Sequence, residues 1–159
     1  MALEFSPESW KSFEEVVGRY PKKEAALIPV LALAQKEFGY LSLEAMEYVA
    51  KIMELPAARV YSVVSFYTML NLKPVGKYHI QVCRTLPCAL MGAERVTTHL
   101  KKRLGVQTGE TTPDGKFTLT EVECLASCGT APMMQVNENY YENLTEEKLD
   151  EIFGDLKKA

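Results

Sequence analysis

The sequence predicts an α+β protein in two parts, an N-terminal helical bundle over residues 1–72 and an α/β domain over residues 73–159. Three observations predict it. Apolar residues recur at helical spacing as far as about residue 70. A turn-rich segment, Asn71-Leu72-Lys73-Pro74-Val75-Gly76, then interrupts the pattern. Beyond it, short β-type runs alternate with helical ones, and every cysteine of the chain falls in this second part.

In the first part, Ser6 followed by Pro7 supplies an N-cap and a proline at the first helical position. Trp10, Phe13 and Val17 repeat at helical spacing, and Gly18 and Pro21 end the helix. A second helix is expected from Glu24 to Phe38, stopping at Gly39, with Pro29 forcing a kink or a split. Ser42 caps a third, in which Leu43, Met46, Ala50 and Met53 face one way. Pro56 opens a fourth, with Val60, Val63, Val64 and Tyr67 as its apolar stripe. Stripes of this kind are read as packing surfaces of the core.

In the second part, Tyr78 to Val82 reads as a strand ending at Cys83, and Ala89 to Leu104 as one helix that stops at Gly105. Thr108 to Gly115 is polar, and its Asp114-Gly115 pair is typical of a hairpin turn. Phe117 to Glu123 is a second strand that leads into Cys124. Met133 to Val136 and Tyr140-Tyr141 form a hairpin across Asn137-Glu138-Asn139. Thr145, formally part of a glycosylation sequon with Asn143, is read as the cap of a last helix through Leu156, with Glu146 and Glu147 at its positive end. The order β-α-β, cysteine loop, β-β-α follows a thioredoxin-like fold, with the Cys124–Cys128 loop in place of the helix between its second and third strands. Pro132, just before a strand, matches the position where that fold carries a cis-proline.

Composition narrows the function classes. The chain has 159 residues, 47% of them hydrophobic and 25% charged, as in an ordinary soluble protein with a real core. A net charge of −3 offers no basic surface for nucleic acid. The longest apolar run, Ala25 to Ala34, is too short to span a bilayer and contains Pro29. The N-terminus lacks the basic start and apolar stretch of a signal peptide. The expected location is therefore cytoplasmic, or peripheral on the cytoplasmic face of the inner membrane as part of a complex. In such a reducing compartment, paired cysteines are expected to bind metal or catalyse rather than form disulfides.

The cysteines form one pattern, Cys83-x4-Cys88 and Cys124-x3-Cys128, with none left over. Three chemistries compete for it. Structural zinc takes four thiolates but favours tighter Cys-x2-Cys knuckles. A dithiol oxidoreductase uses Cys-x-x-Cys, a spacing that neither pair has, and leaves the second pair without a role. A 2Fe–2S cluster places two thiolates on each iron and needs two such pairs, although pairing in sequence need not equal pairing on iron. His79 and His99 would matter in a Rieske centre, but with four cysteines matched they read as a strand residue and a helix-surface residue. An oxidised all-cysteine cluster carries a charge of roughly −2, so N–H dipoles or a cation must offset it. Expected contributors are the N–H groups around Cys88 at a helix start, a close backbone approach at Gly129, and Arg84, unless that side chain is simply solvated.

The stretch Cys83-Arg84-Thr85-Leu86-Pro87-Cys88-Ala89-Leu90-Met91-Gly92, with Glu123-Cys124-Leu125-Ala126-Ser127-Cys128-Gly129-Thr130-Ala131-Pro132-Met133-Met134-Gln135-Val136, resembles a known family. It is similar to the small thioredoxin-like 2Fe–2S subunit of respiratory NADH:quinone oxidoreductase, complex I. The helical half, notably Val60-Tyr61-Ser62-Val63-Val64-Ser65-Phe66-Tyr67-Thr68, resembles the N-terminal extension of that family, so the likeness covers nearly the whole chain. It implies Cys83, Cys88, Cys124 and Cys128 as ligands of one 2Fe–2S cluster. It also implies a larger partner subunit that binds FMN and NADH and exchanges single electrons with that cluster. The chain itself has no Gly-x-Gly-x-x-Gly after a strand with which to bind NADH. Related subunits serve NAD-linked hydrogenases and formate dehydrogenases. A simpler relative, a free ferredoxin, consists mainly of the cysteine half, so the helical half here favours a subunit docked on its flavin partner. One departure is Ala126, where many members have glycine; its methyl tightens the loop and leaves every candidate ligand in place.

Overall fold

A computed structural model of the protein describes residues 3–158. The chain forms two compact units, the first ending at Pro74 and the second beginning at Val75.

The first unit is helical. Ser6 starts it as expected: its hydroxyl oxygen accepts the Ser9 N–H at 3.3 Å, and α1 runs Pro7–Gly18. Phe13 is buried, but Trp10, expected in the same stripe, is 40% exposed, its ring centroid 5.1 Å from that of Phe13. The second expected helix is split into a 3-10 turn, Lys23–Ala26, and α2, Leu27–Phe38. Pro29 accounts for the split. It cannot donate back to residue 25, a loss without cost in a helix's first turn, so the α-helix begins just ahead of it.

Ser42 caps α3, Leu43–Met53, through a 3.1 Å bond from the Ala45 N–H. Met46, Ala50 and Met53 are buried, whereas Leu43 is 68% exposed. Its side chain leaves the first residue of the helix and tilts toward the N-terminus, past the packed face. In α4, Ala57–Phe66, Val60 and Val64 are buried, while Val63 and the capping Tyr67 are half-buried. Val30, Leu31, Ala34, Val49 and Val60 form the fully shielded centre of this unit. Phe5 seals one side, stacked on Phe38 at 5.6 Å and edge-on to Tyr48 at 5.2 Å. The Glu37 carboxylate accepts the Ser9 hydroxyl at 2.6 Å and the Ser6 N–H at 3.1 Å; these bonds, Ser9 first, hold its carboxyl below the usual range.

The second unit is a four-stranded sheet covered by helices. In chain order it contains β1 Tyr78–Cys83, α5 Leu86–Leu90, α6 Ala93–Leu104, β2 Phe117–Val122, β3 Met134–Val136, β4 Asn139–Tyr141 and α7 Glu146–Lys158. The strands lie in the order β2-β1-β3-β4. β1 and β2 are parallel, and β3 is antiparallel to both β1 and β4. The chain order of these elements is the thioredoxin-like one expected from the sequence, and the Ala131–Pro132 bond is cis as expected.

One expected helix is divided in this unit. The single helix over 89–104 is two helices, broken at Gly92, whose φ is +100°. Glycine adopts that left-handed backbone without strain, and a Cβ there would also meet the Arg95 guanidinium at 3.0 Å. The break separates α5, which carries Cys88, from α6. Val96 and Leu100 of α6, with Leu149 and Phe153 of α7, pack with Ile80, Val82, Phe117, Leu119 and Met134 in one core. Burying each large side chain there contributes about 1.5–3 kcal/mol. Thr145 caps α7 by accepting the Lys148 N–H at 3.2 Å.

Candidate metal centre

The parallel pair β1 and β2 sets the position of the cysteines. Cys83 is the last residue of β1 and stands opposite Val122, the last residue of β2. The chain leaves both strands at the same end of the sheet, once into α5 with Cys88 and once into the Cys124–Cys128 loop. The Arg84 N–H bonds the Val122 carbonyl at 3.0 Å, and the Cys83 N–H bonds the Met133 carbonyl at 3.3 Å. The loop after β2 ends in a single 3-10 turn, Cys128–Thr130, where a thioredoxin has a helix.

All four thiols are free. Cys83 and Cys88 are buried, 2% exposed each, in a small apolar cluster with Ala93, Ala131, Met133 and the half-buried Leu125. Cys124 and Cys128 are exposed. The thiols interact first within pairs, Cys83 with Cys88 and Cys124 with Cys128, and then between them, since Cys128 feels the charge of Cys83 and Cys88 that of Cys128. The folded chain has therefore brought together two segments about forty residues apart.

Hydrogen bonds to sulfur decide which thiol ionises more readily. Burial pushes the Cys83 thiol up, but the Thr85 hydroxyl at 3.3 Å and the backbone N–H groups of Leu125 and Thr85 outweigh it, leaving Cys83 below its ordinary value. Cys88 is pushed up to about 11 by burial and by its bond with Cys83, against one Met133 N–H that favours the thiolate. Cys128 is also raised, by lost hydration and then by Cys124. The Ala126 N–H points at the Cys124 sulfur at 3.3 Å. Donors from Thr85, Leu125, Ala126 and Met133 thus surround the sulfurs, which is what a negatively charged thiolate centre requires.

Two of the residues expected to help do something else. Arg84 forms a 2.6 Å ion pair with Glu123 on the surface, so its charge is offset there. Gly129 is uncrowded, with open space where a Cβ would stand and a φ outside the left-handed region. The strained position in the loop is Ala126, with φ +61°. That explains in physical terms why glycine suits this site, since a Cβ in the left-handed region costs about 1–2 kcal/mol. Ala126→Gly is expected to stabilise the chain by up to about 1 kcal/mol, after glycine's larger unfolded-state entropy is subtracted. Urea denaturation of the two proteins checks this, and a destabilised glycine variant contradicts it.

Neither histidine belongs to the sulfur group. His79 Nε2 meets the Thr120 hydroxyl at 2.5 Å, and burial lowers its pKa. His99 lies between Glu146 at 3.5 Å and Asp150 at 3.2 Å, joining α6 to α7. Among the described residues, no three His, Cys, Asp or Glu side chains form a group that could hold one metal ion. Thiols paired two by two, with N–H groups directed at them, suit the donor set of a bridged two-iron centre.

The chain is similar to known proteins. Residues 13–157 match the family model described as thioredoxin-like [2Fe-2S] ferredoxin. The chain is 46% identical over 154 residues to an NADH-quinone oxidoreductase subunit of Rickettsia felis, covering 95% of this chain and 92% of that protein. It is 42% identical over 149 residues to the corresponding NADH-quinone oxidoreductase subunit of Rhizobium meliloti, covering 94% of this chain and 89% of that one. Among solved structures, an NAD+-reducing [NiFe]-hydrogenase in the air-oxidised state superposes with a TM-score of 0.70 at 20% identity. That match covers 80% of this chain but only 22% of the hydrogenase chain, and it speaks for the fold alone.

Proposed function

Because this chain belongs to the thioredoxin-like [2Fe-2S] ferredoxin family, we propose that Cys83, Cys88, Cys124 and Cys128 ligate one 2Fe–2S cluster in an electron-transfer subunit of an NADH:quinone oxidoreductase. The observation that carries this reading is the convergence of two thiol pairs at one end of the parallel strands, with backbone donors on sulfur. When bound, such a cluster supplies reversible uptake of one electron, at about −400 mV for an all-cysteine site. The protein's part is to hold the thiolates, direct N–H dipoles at them and keep water from the Cys83 and Cys88 side. No acid, base or nucleophile is needed, because no bond to substrate is made.

The reading divides the chain into a helical domain, 1–72, and an iron–sulfur domain, 73–159, a division supported by the compact units that meet at Pro74 and Val75. It also supplies a partner, the larger subunit that binds FMN and NADH, with the pair peripheral on the cytoplasmic face of the inner membrane. Exposed apolar side chains support a docked subunit. Leu86, Leu90 and Met91 stand beside the cysteines, and Tyr61, Phe66, Met69 and Leu72 stand on the helical unit. No helix among the described residues is long and apolar enough to cross a membrane.

Anaerobically purified protein tests the reading. About two irons and two sulfides per chain are expected, with a paramagnetic signal after dithionite reduction. A colourless protein holding zinc and no sulfide would favour the structural-zinc alternative. Copurification with a flavin-carrying chain tests the partner separately.

A further inference from the structure

We propose that Glu142 is a positioning residue for the Cys124–Cys128 side of the metal centre, an inference that rests on the ligand assignment above. The loop between these cysteines has no regular structure before its final turn and contains the strained Ala126. Bonds within it join Ser127 to Thr130, and the segment that follows β3 braces it from outside. The Tyr140 hydroxyl donates to the Leu125 carbonyl at 2.9 Å. Glu142 Oε1 accepts the Ser127 hydroxyl and, at 2.7 Å, the Thr130 hydroxyl. The Asn143 N–H donates to the Thr130 carbonyl at 2.7 Å.

Ser127 and Thr130 bracket Cys128, so one carboxylate oxygen ties down both sides of that ligand. Glu142 is itself anchored, since its carbonyl accepts Lys148 Nζ, from α7, at 2.6 Å. Hydrogen bonds to an ionised acceptor are the stronger kind, and an ionised carboxylate can only accept, so both hydroxyls donate to it, Thr130 in competition with the Ser127 carbonyl at 3.2 Å and beside the Ser127 hydroxyl at 2.8 Å. The same carboxylate places a negative charge near a centre that becomes more negative on reduction. Position and charge can be separated by substitution. Glu142→Gln keeps an acceptor oxygen for both hydroxyls and removes the charge, whereas Glu142→Ala removes both.

The test uses the full chain, loaded anaerobically as wild type, E142Q and E142A. Iron release to a chelator, the reduced-state paramagnetic line shape and the midpoint potential are measured, together with thermal unfolding of the metal-free chains. E142A is expected to release iron about 10-fold faster, the lower end of the effect seen for residues that orient a ligand, with an altered line shape and an unchanged metal-free midpoint. E142Q is expected to release iron nearly as slowly as wild type but to be reduced at a higher potential, a difference that shrinks as salt is added. A wild-type release rate and line shape in E142A overturns the inference. So does E142A that is destabilised equally without metal, since the role is then structural. A wild-type chain that holds no iron and sulfide sinks the ligand assignment itself, whatever the variants do.

Discussion

Cys128→Ala protein, loaded and purified without oxygen beside the wild-type chain, is expected to lose its iron–sulfur absorption and its reduced-state signal. On the proposed ligation, removing this thiolate would leave only a methyl group where a donor to iron is needed. The loss of iron affinity should exceed the roughly 10–100-fold typical of residues that merely orient a ligand. Cys128 is the informative choice because its side chain is exposed and the backbone around it is held by Ser127 and Thr130. The metal-free variant should therefore unfold like metal-free wild type. The same substitution at Cys83 or Cys88 would also disturb a buried cluster and blur the result. A Cys128→Ala protein with wild-type spectrum and iron content would remove Cys128 from the ligand set.

The largest expected loss of stability comes from Phe153→Ala. Phe153 is completely buried in the second unit, its ring 5.6 Å from that of Phe117, with the Arg103 guanidinium 6.0 Å away. Truncating a buried phenylalanine costs about 3–5 kcal/mol, the lost transfer energy plus the cavity left between α7 and the sheet. That is a large share of the roughly 5–15 kcal/mol that holds a typical domain together. Denaturant titration should show a lower midpoint with an unchanged slope. A loss below about 1 kcal/mol would mean that the site collapses freely and the ring packs far less tightly than described.

The helix starts were readable because their signals are local. Ser6 and Ser42 cap through bonds to residues three positions on, and Pro29 announces a break by lacking a donor. The pairing of β3 with β4 was readable because a tight hairpin forces antiparallel neighbours, whereas the place of β3 beside β1 is set by contacts far apart in sequence. Gly92 was lost inside an otherwise helical run, since a glycine there signals a break only once its φ is known. Leu43 and Trp10 carry the right period, but periodicity says nothing of what stands opposite each residue. In the site, the four cysteines were evident from spacing. The bonds from Ser127 and Thr130 to Glu142 were not, because the β3-β4 hairpin lies between donor and acceptor and no motif spans it. Gly129 drew the expectation of special geometry that belongs to Ala126, where the residue type conceals the backbone angle.

The facing of Cys83 with Val122 has a consequence for how the molecule matures. Were the two parallel strands to pair two residues out of step, the apolar sides would still match, yet one sulfur pair would slide about 7 Å past the other. Misaligned chains could not close around an inorganic core, whereas correctly aligned ones would be locked by it. Insertion of the proposed cluster would thus act as a proofreading step on the sheet, and chains that failed it would remain the ones open to proteolysis.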